Sequence, residues 1–421
     1  IRDRRITASG YLPYVFNKIE VPMTDSYWLR NIRPLGNAAE DFLIRNGRIA
    51  ERRPASGADI QLGDIDGAGQ LLVPPLVESH CHLDKTLWGQ PWRPNSAGPT
   101  LKDYIANERR VLREIEAPIS ERAGALLEQC IARGSLTFRC HVDIDPELGL
   151  RHVVAMQALR ERYADLIDME FVVFPQTGLV SRPGTAELMR EAMQLGVENV
   201  GGLDPCGIDD DPIAQLDIVF GLAVEFGRGV DIHLHDKGEL GLWQIARIAD
   251  YTERHGLQGK VMISHAYCLG MAPWEQVEPL AERLSELGIS LMSSAPADTP
   301  VPPFLALRDA GVNLCLGSDG IRDAWSPMGN GDMLERAMLL AFRFDLCKDE
   351  DLAAAFAAAT ANGARALGRE PAHIEVGAAA DFLLLPVQTL GEAVVARPAQ
   401  RQVFKSGRLI AEQGRLLESR L

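Results

Sequence analysis

The chain has 421 residues, 46% hydrophobic and 24% charged, a globular composition that excludes collagen-like, low-complexity and disordered classes. Its 43 basic and 58 acidic side chains leave a net charge of −15, which disfavours nucleic acid or an anionic membrane as partner and suits a small-molecule enzyme or an oligomer subunit. Seven cysteines, an odd number with no CxxC pair, argue against a disulfide framework and for a reducing, cytoplasmic setting.

In chain order, residues 1–22 carry charge but no continuous apolar segment and no small-residue cleavage site, so no secretory signal is expected. The first methionine is Met23, and residues 1–22 are read as an N-terminal extension without functional role. Residues 23–74 hold short strand-like runs, DFLIRNGRI and then ADIQLGDIDGAGQLLVPP, with Asn46-Gly47 as a hairpin signal. Residues 371–421 carry a similar unit, DFLLLPV and QVFKSGRLIAEQGRLL, with Ser406-Gly407 at the turn. Two β-rich ends around a long middle predict one small β domain built from both termini. Residues 75–370 alternate short apolar strands with helical stretches. Strands are expected to end near His80 and to cover 136–144, 169–176, 197–204, 229–236, 259–266, 288–295 and 311–319. Eight βα units favour a closed parallel barrel. No apolar run approaches the length of a membrane span.

A barrel places its chemistry at the C-terminal ends of its strands. Six of the nine histidines, His80, His82, His141, His233, His235 and His265, fall at or near such ends. In VESHCHLDKT, alternation along a strand turns His80 and His82 to one face and Cys81 to the other. Two convergent imidazoles make half of a site for a borderline cation. In VDIHLHDKGE, His233 and His235 again share a face, with Asp236 three residues past His233 and Glu239 beyond. His265 follows a short apolar run in ISHAYC, and Asp319 ends the apolar strand of LCLGSDGIRD. Taken alone, Asp319 reads equally as the cap of the next helix, and His265 as a buried core histidine.

Together these motifs resemble the amidohydrolase superfamily. HLDKT, FRCHVDID, VVFPQTG, SHAYC and the WSPMGNGD stretch after Asp319 are similar to its cytosine deaminase branch. GGLDP, HLHD and SDGIRDAWSPMGNGDM are similar to N-isopropylammelide amidohydrolases within it. The resemblance covers about residues 40–415. It implies a (β/α)8 TIM-like barrel carrying a small β-sandwich domain built from both termini. It further implies one divalent metal ion held by His80, His82, His233 and Asp319. Gln176 stands where the branch sets a glutamine amide against a pyrimidine-like ring, and His265 where it polarises the water or the developing oxyanion. No strand end presents an obvious bridging lysine, which favours a single metal. Two positions depart from the branch: Asp236 replaces the glutamate of HxxE, and Gly320 replaces a second aspartate.

The implied reaction is hydrolytic deamination of a cytosine-like pyrimidine or aminotriazine, N-alkylated analogues included. Asp319 would take a proton from the metal-activated water. Asp236 would carry a proton to the ring and leaving group, with Glu239 as its alternative. Trp325 either stacks on the ring or packs in the core. Lys85 either meets a ring carbonyl or pairs with Asp84 or Asp143. His235 is open between substrate contact and packing. His141, Asp143 and Asp145 are read as groups that orient the ligands. The nitrogen-rich ligand set suits Zn²⁺, and Fe²⁺ or Mn²⁺ would also be accepted. Two other readings are carried forward: hydrolytic opening of a cyclic amide, with Arg322 and Lys85 as anchors for the new carboxylate, and a non-catalytic metal-binding protein on the same fold. The barrel exterior is compatible with a homo-oligomer.

Overall fold

The computed structural model describes residues 26–57 and 60–421; the extension at residues 1–22 lies outside the described residues. Eight strands form one parallel sheet in strict chain order: Leu76–Cys81, Ser135–Asp143, Asp168–Phe174, Asn199–Leu203, Gly229–Leu234, Val261–His265, Ser290–Ser293 and Leu314–Leu316. Their side chains are almost all buried, because the barrel interior takes one face and helices cover the other. A parallel bridge between Cys81 and Asp319, with Asp319 N–H donating to His80 O at 2.8 Å, brings the eighth strand's end to the first. The sheet is thus a nearly closed barrel. Gly317 lies at this seam, where an added Cβ would meet His80 Cβ at 2.5 Å and His80 O at 2.8 Å.

The first βα connection is long. It holds an extra helix, Leu101–Glu114, started by a reciprocal Thr100–Asp103 capping box, ahead of the helix Ile119–Ala132. This segment closes onto the loop after the eighth strand. Asn107 donates to Ala324 O, Asn95 to Trp325 O, and Tyr104 stacks on Trp325 with centroids 5.4 Å apart.

A second sheet of nine strands draws five from residues 26–73 and four from residues 382–416. Its bulged first strand, Ser26–Pro34, pairs with Glu40–Arg45, Ile65–Asp66 and Leu71–Val73, so the sheet folds over a core of Leu29, Ile32, Phe42, Phe382 and Phe404. The halves meet where Leu71–Val73 pairs antiparallel with Phe382–Leu385. Both expected hairpins form, with Asn46 (φ 50°), Gly47 (72°), Ser406 (48°) and Gly407 (70°) in the left-handed region that tight two-residue turns require. Arg401, fully buried, joins this sheet to the barrel side by a two-pronged bond to Asp332 at 3.0 and 2.8 Å. All seven cysteines are free, and among the described residues no helix is long and apolar enough to cross a membrane.

Candidate metal centre and active site

The first, fifth, sixth and eighth strand ends bring His80, His233, His265 and Asp319 together, with ligand atoms all within 4.8 Å of one another. His82 reaches the same point: its Nε2 lies 3.3 Å from His233 Nε2 and 3.4 Å from Asp319 Oδ1. His80 Nε2 lies 3.7 Å from Asp319 Oδ1, and His265 Nε2 4.0 Å from Asp319 Oδ2. The four expected ligands therefore converge, and His265 stands beside them as a fifth donor.

These residues fit a divalent cation. The buried Nε2 atoms of His80 and His265 have no hydrogen-bond partner in the fold, an arrangement that is costly unless something else satisfies them. Burial holds His233 and His265 well below the usual imidazole range, so both rings are neutral and carry a free lone pair. Burial and the Lys85 ammonium push His82 down, but Asp143 and Asp319 outweigh them and bring it up to about 9, so a proton competes with a cation there. Burial would raise the Asp319 carboxyl, yet the adjacent His80 and His82 rings hold it well below the carboxylate range. Asp319 does not cap the next helix; Asp332 does, accepting from Leu334 N–H.

The backbone is strained here. His265 (φ 72°), Ala266 (45°), Asp319 (62°) and Asp204 (33°) all occupy the left-handed region without being glycine. Each such residue costs roughly 1–3 kcal/mol and persists only where the surroundings impose it.

Beside the cluster lies a wall of polar groups. Lys85 Nζ donates to Gln176 Oε1 at 2.5 Å and meets Asp143 at 3.3 Å and Glu108 at 3.4 Å. Lys85 thus pairs with Asp143 and not with Asp84, which instead accepts from His152 Nδ1 at 2.8 Å. Phe174 stacks on His233 at 4.0 Å. Trp325 donates its indole N–H to Glu108 and lies 5.9 Å from Lys85 Nζ. Sequence reasoning missed Glu108. It comes from the inserted helix, and only its burial, at 3% exposure, marks it as more than one face of an amphipathic segment.

Other expected residues fall elsewhere. The fifth strand stops at Leu234, so strand alternation does not reach His235 or Asp236. The Asp236 carboxylate accepts from Gly207 N–H at 3.0 Å and Gln244 Nε2 at 2.9 Å. These two hydrogen bonds already engage the carboxylate that the resemblance assigns as proton shuttle. Glu239 is exposed in the first turn of its helix. His235 instead faces the cluster: its Nδ1 is held by Asp204 at 2.7 Å and its ring stacks on His265 at 4.4 Å. Burial lowers His235, but the Asp204 charge and hydrogen bond more than compensate, leaving it raised. Asp145 caps the turn at Glu147 and Leu148 and does not orient a ligand, whereas His141 lies against His80 at 3.9 Å. The Arg322 guanidinium lies over Trp88 and Trp92.

Comparison with known proteins agrees with this architecture. The model of the amidohydrolase family matches residues 120–411. N-isopropylammelide isopropyl amidohydrolase of Pseudomonas sp. (strain ADP) is 32% identical over 399 residues, 88% of this chain and 97% of that protein. The crystal structure of N-isopropylammelide isopropylaminohydrolase from Burkholderia multivorans ATCC 17616 superposes with a TM-score of 0.88 at 41% identity, covering 94% of this chain and all of that one. That of 5-methylcytosine deaminase from Klebsiella pneumoniae, liganded with 5-fluorocytosine, gives 0.81 at 28% identity over 93% and 98% of the two chains.

Proposed function

The chain belongs to the amidohydrolase family, and is a hydrolase of non-peptide C–N bonds; from that premise we propose that it removes ammonia or an amine from a small cytosine-like heterocycle, an aminopyrimidine or aminotriazine. The observation that carries this reading is the convergence of His80, His82, His233, His265 and Asp319 at the barrel mouth beside the Lys85–Gln176–Glu108 wall. The names of the relatives, one acting on N-isopropylammelide and one on 5-methylcytosine, support the same substrate class.

His80, His82, His233 and Asp319 would hold one divalent ion, Zn²⁺ by donor preference, with Fe²⁺ or Mn²⁺ accepted. When bound there, such an ion supplies a water acidified to a pKa of about 7. Asp319, held ionised beside His80 and His82, would accept a proton at this point of the site. His265, neutral and with Nε2 free, lines the same point and orients the attack. His235, fixed through Nδ1 on Asp204, presents its other ring nitrogen as the acid that protonates ring or leaving group. Lys85 and the Gln176 amide offer donors to ring oxygens or nitrogens, and Trp325 and Phe174 offer apolar faces.

The test is release of ammonia or amine from a panel of aminopyrimidines and aminotriazines, with metal-loaded and chelator-treated protein. Metal-dependent release supports the reading. Turnover that yields a carboxylate without ammonia would replace it with cyclic-amide ring opening, and bound metal with no turnover would leave a metal-binding protein.

A further inference from the structure

A buried chain of polar groups runs beneath the cluster. Asp231, fully buried in the fifth strand two residues before His233, shares its face of the strand. It accepts from Arg139 Nη1 at 3.1 Å and from Ser264 Oγ at 2.8 Å. Ser264, on the sixth strand in register with His233, also lies 2.9 Å from His80 Nδ1. Arg139 is held in turn by Glu170 at 2.6 Å. Nothing in the deamination reading uses Asp231, Ser264 or Arg139.

The direction of the hydrogen bonds follows from counting protons. A serine hydroxyl has one hydrogen to donate, and a carboxylate paired with a guanidinium only accepts. The Ser264 hydrogen therefore goes to Asp231. Its oxygen is left as an acceptor, so the proton on the neutral His80 ring must be on Nδ1. The lone pair is then on Nε2, the atom without a partner that faces Asp319. His233 has no equivalent, since its Nδ1 is unpartnered.

We propose that Asp231 and Ser264 are positioning residues that select the Nδ1–H tautomer of His80 and aim its Nε2 at the cation, so that metal affinity is set from the barrel's interior as well as by the ligands. This rests on the metal reading and is independent of the substrate. Partners of this kind are typically worth about 10–100-fold in metal affinity.

The experiment uses Zn²⁺ alone, measured by chelator competition on the full chain. Ser264→Ala is expected to weaken Zn²⁺ binding by about 10–100-fold, and Ser264→Thr, which restores the hydroxyl, to recover most of it. Metal-free Ser264→Ala should still unfold cooperatively, with its midpoint lowered only as the lost hydrogen bonds require, and Zn²⁺ affinity is compared on the folded protein, which separates positioning from a general loss of stability. Ring ¹⁵N spectra of the metal-free parent should show the His80 proton on Nδ1, a readout that needs no variant to fold. A His80 proton on Nε2, or unchanged Zn²⁺ affinity in Ser264→Ala, would overturn the relay. Tight Zn²⁺ binding with no deamination would overturn the functional reading and leave the relay intact.

Discussion

His235 and Asp236 are neighbours in sequence that the fold sends to different tasks. His235 is fixed on Asp204 and stacked on His265, whereas Asp236 is bound to Gly207 and Gln244. An added Cβ at Gly207 would meet Asp236 Oδ1 at 2.5 Å, so that carboxylate lies directly on its neighbour's backbone. With Zn²⁺ bound, His235→Gln should lower kcat by about 10²–10⁴-fold, the usual weight of general acid–base catalysis. Asp236→Asn, which keeps an oxygen for Gly207, should leave kcat close to the parent. The opposite pair of kcat values would return the proton to Asp236. A second residue-scale test concerns Glu108. Burial pushes its carboxyl up to about 7 against the pull of the Lys85 ammonium. In the unfolded chain it ionises in the ordinary range near 4.5. The folded state therefore holds more protons between these values, and stability from this group is lost as pH rises from about 4.5 through about 7. Glu108→Gln removes the effect, so the parent's thermal midpoint should fall relative to the variant's across that window; a constant difference would refute the shift. HCH, HLHD, SHAY and SDG made the donors legible in combination, because metal-competent side chains recur at several strand ends of one barrel. Glu108 and the Asp231–Ser264 pair were hidden, the first on a helix whose amphipathicity says nothing of what it covers, the second inside runs that read as buried strand.

At the scale of elements, the barrel was readable because parallel strands covered on both faces are nearly continuous apolar runs. All eight expected strands form, and the third, fifth, seventh and eighth end two or three residues short of expectation, at Phe174, Leu234, Ser293 and Leu316. Past Leu234, side-chain contacts take over from the ladder, with Asp204 accepting from His235 and Asp236 N–H. Asp236 enters the site only through the resemblance, by its spacing from His233; alternation alone turns it to the face opposite His233. The seam between eighth and first strands carries its own prediction. Gly317→Ala would drive a methyl group into His80 Cβ and its backbone. Neither neighbour is the far end of a flexible side chain, so the first strand must shift. Zn²⁺ affinity should drop at least as far as in Ser264→Ala, accompanied by a lower thermal midpoint. A Gly317→Ala protein with parental affinity and midpoint would show the seam to be slack.

Across the whole molecule, Arg401 ties the terminal sheet to the barrel through Asp332, the residue that caps the helix Met333–Arg343. Removing one partner of a buried pair strands the other charge and typically costs about 3–5 kcal/mol. Arg401→Met should therefore lower unfolding free energy by about that amount in denaturant titration, while Zn²⁺ binding by the folded protein is retained. A near-neutral change would mean that water reaches Asp332.

The pairing of Leu71–Val73 with Phe382–Leu385 also sets an order of events on the ribosome. The early strand waits for a partner synthesised roughly 300 residues later, an interval of about 15 to 60 s at ordinary elongation rates. Until then the nascent chain displays the apolar edge of Leu71, Leu72 and Val73 without its mate, a surface to which a chaperone, or a second nascent copy, has access.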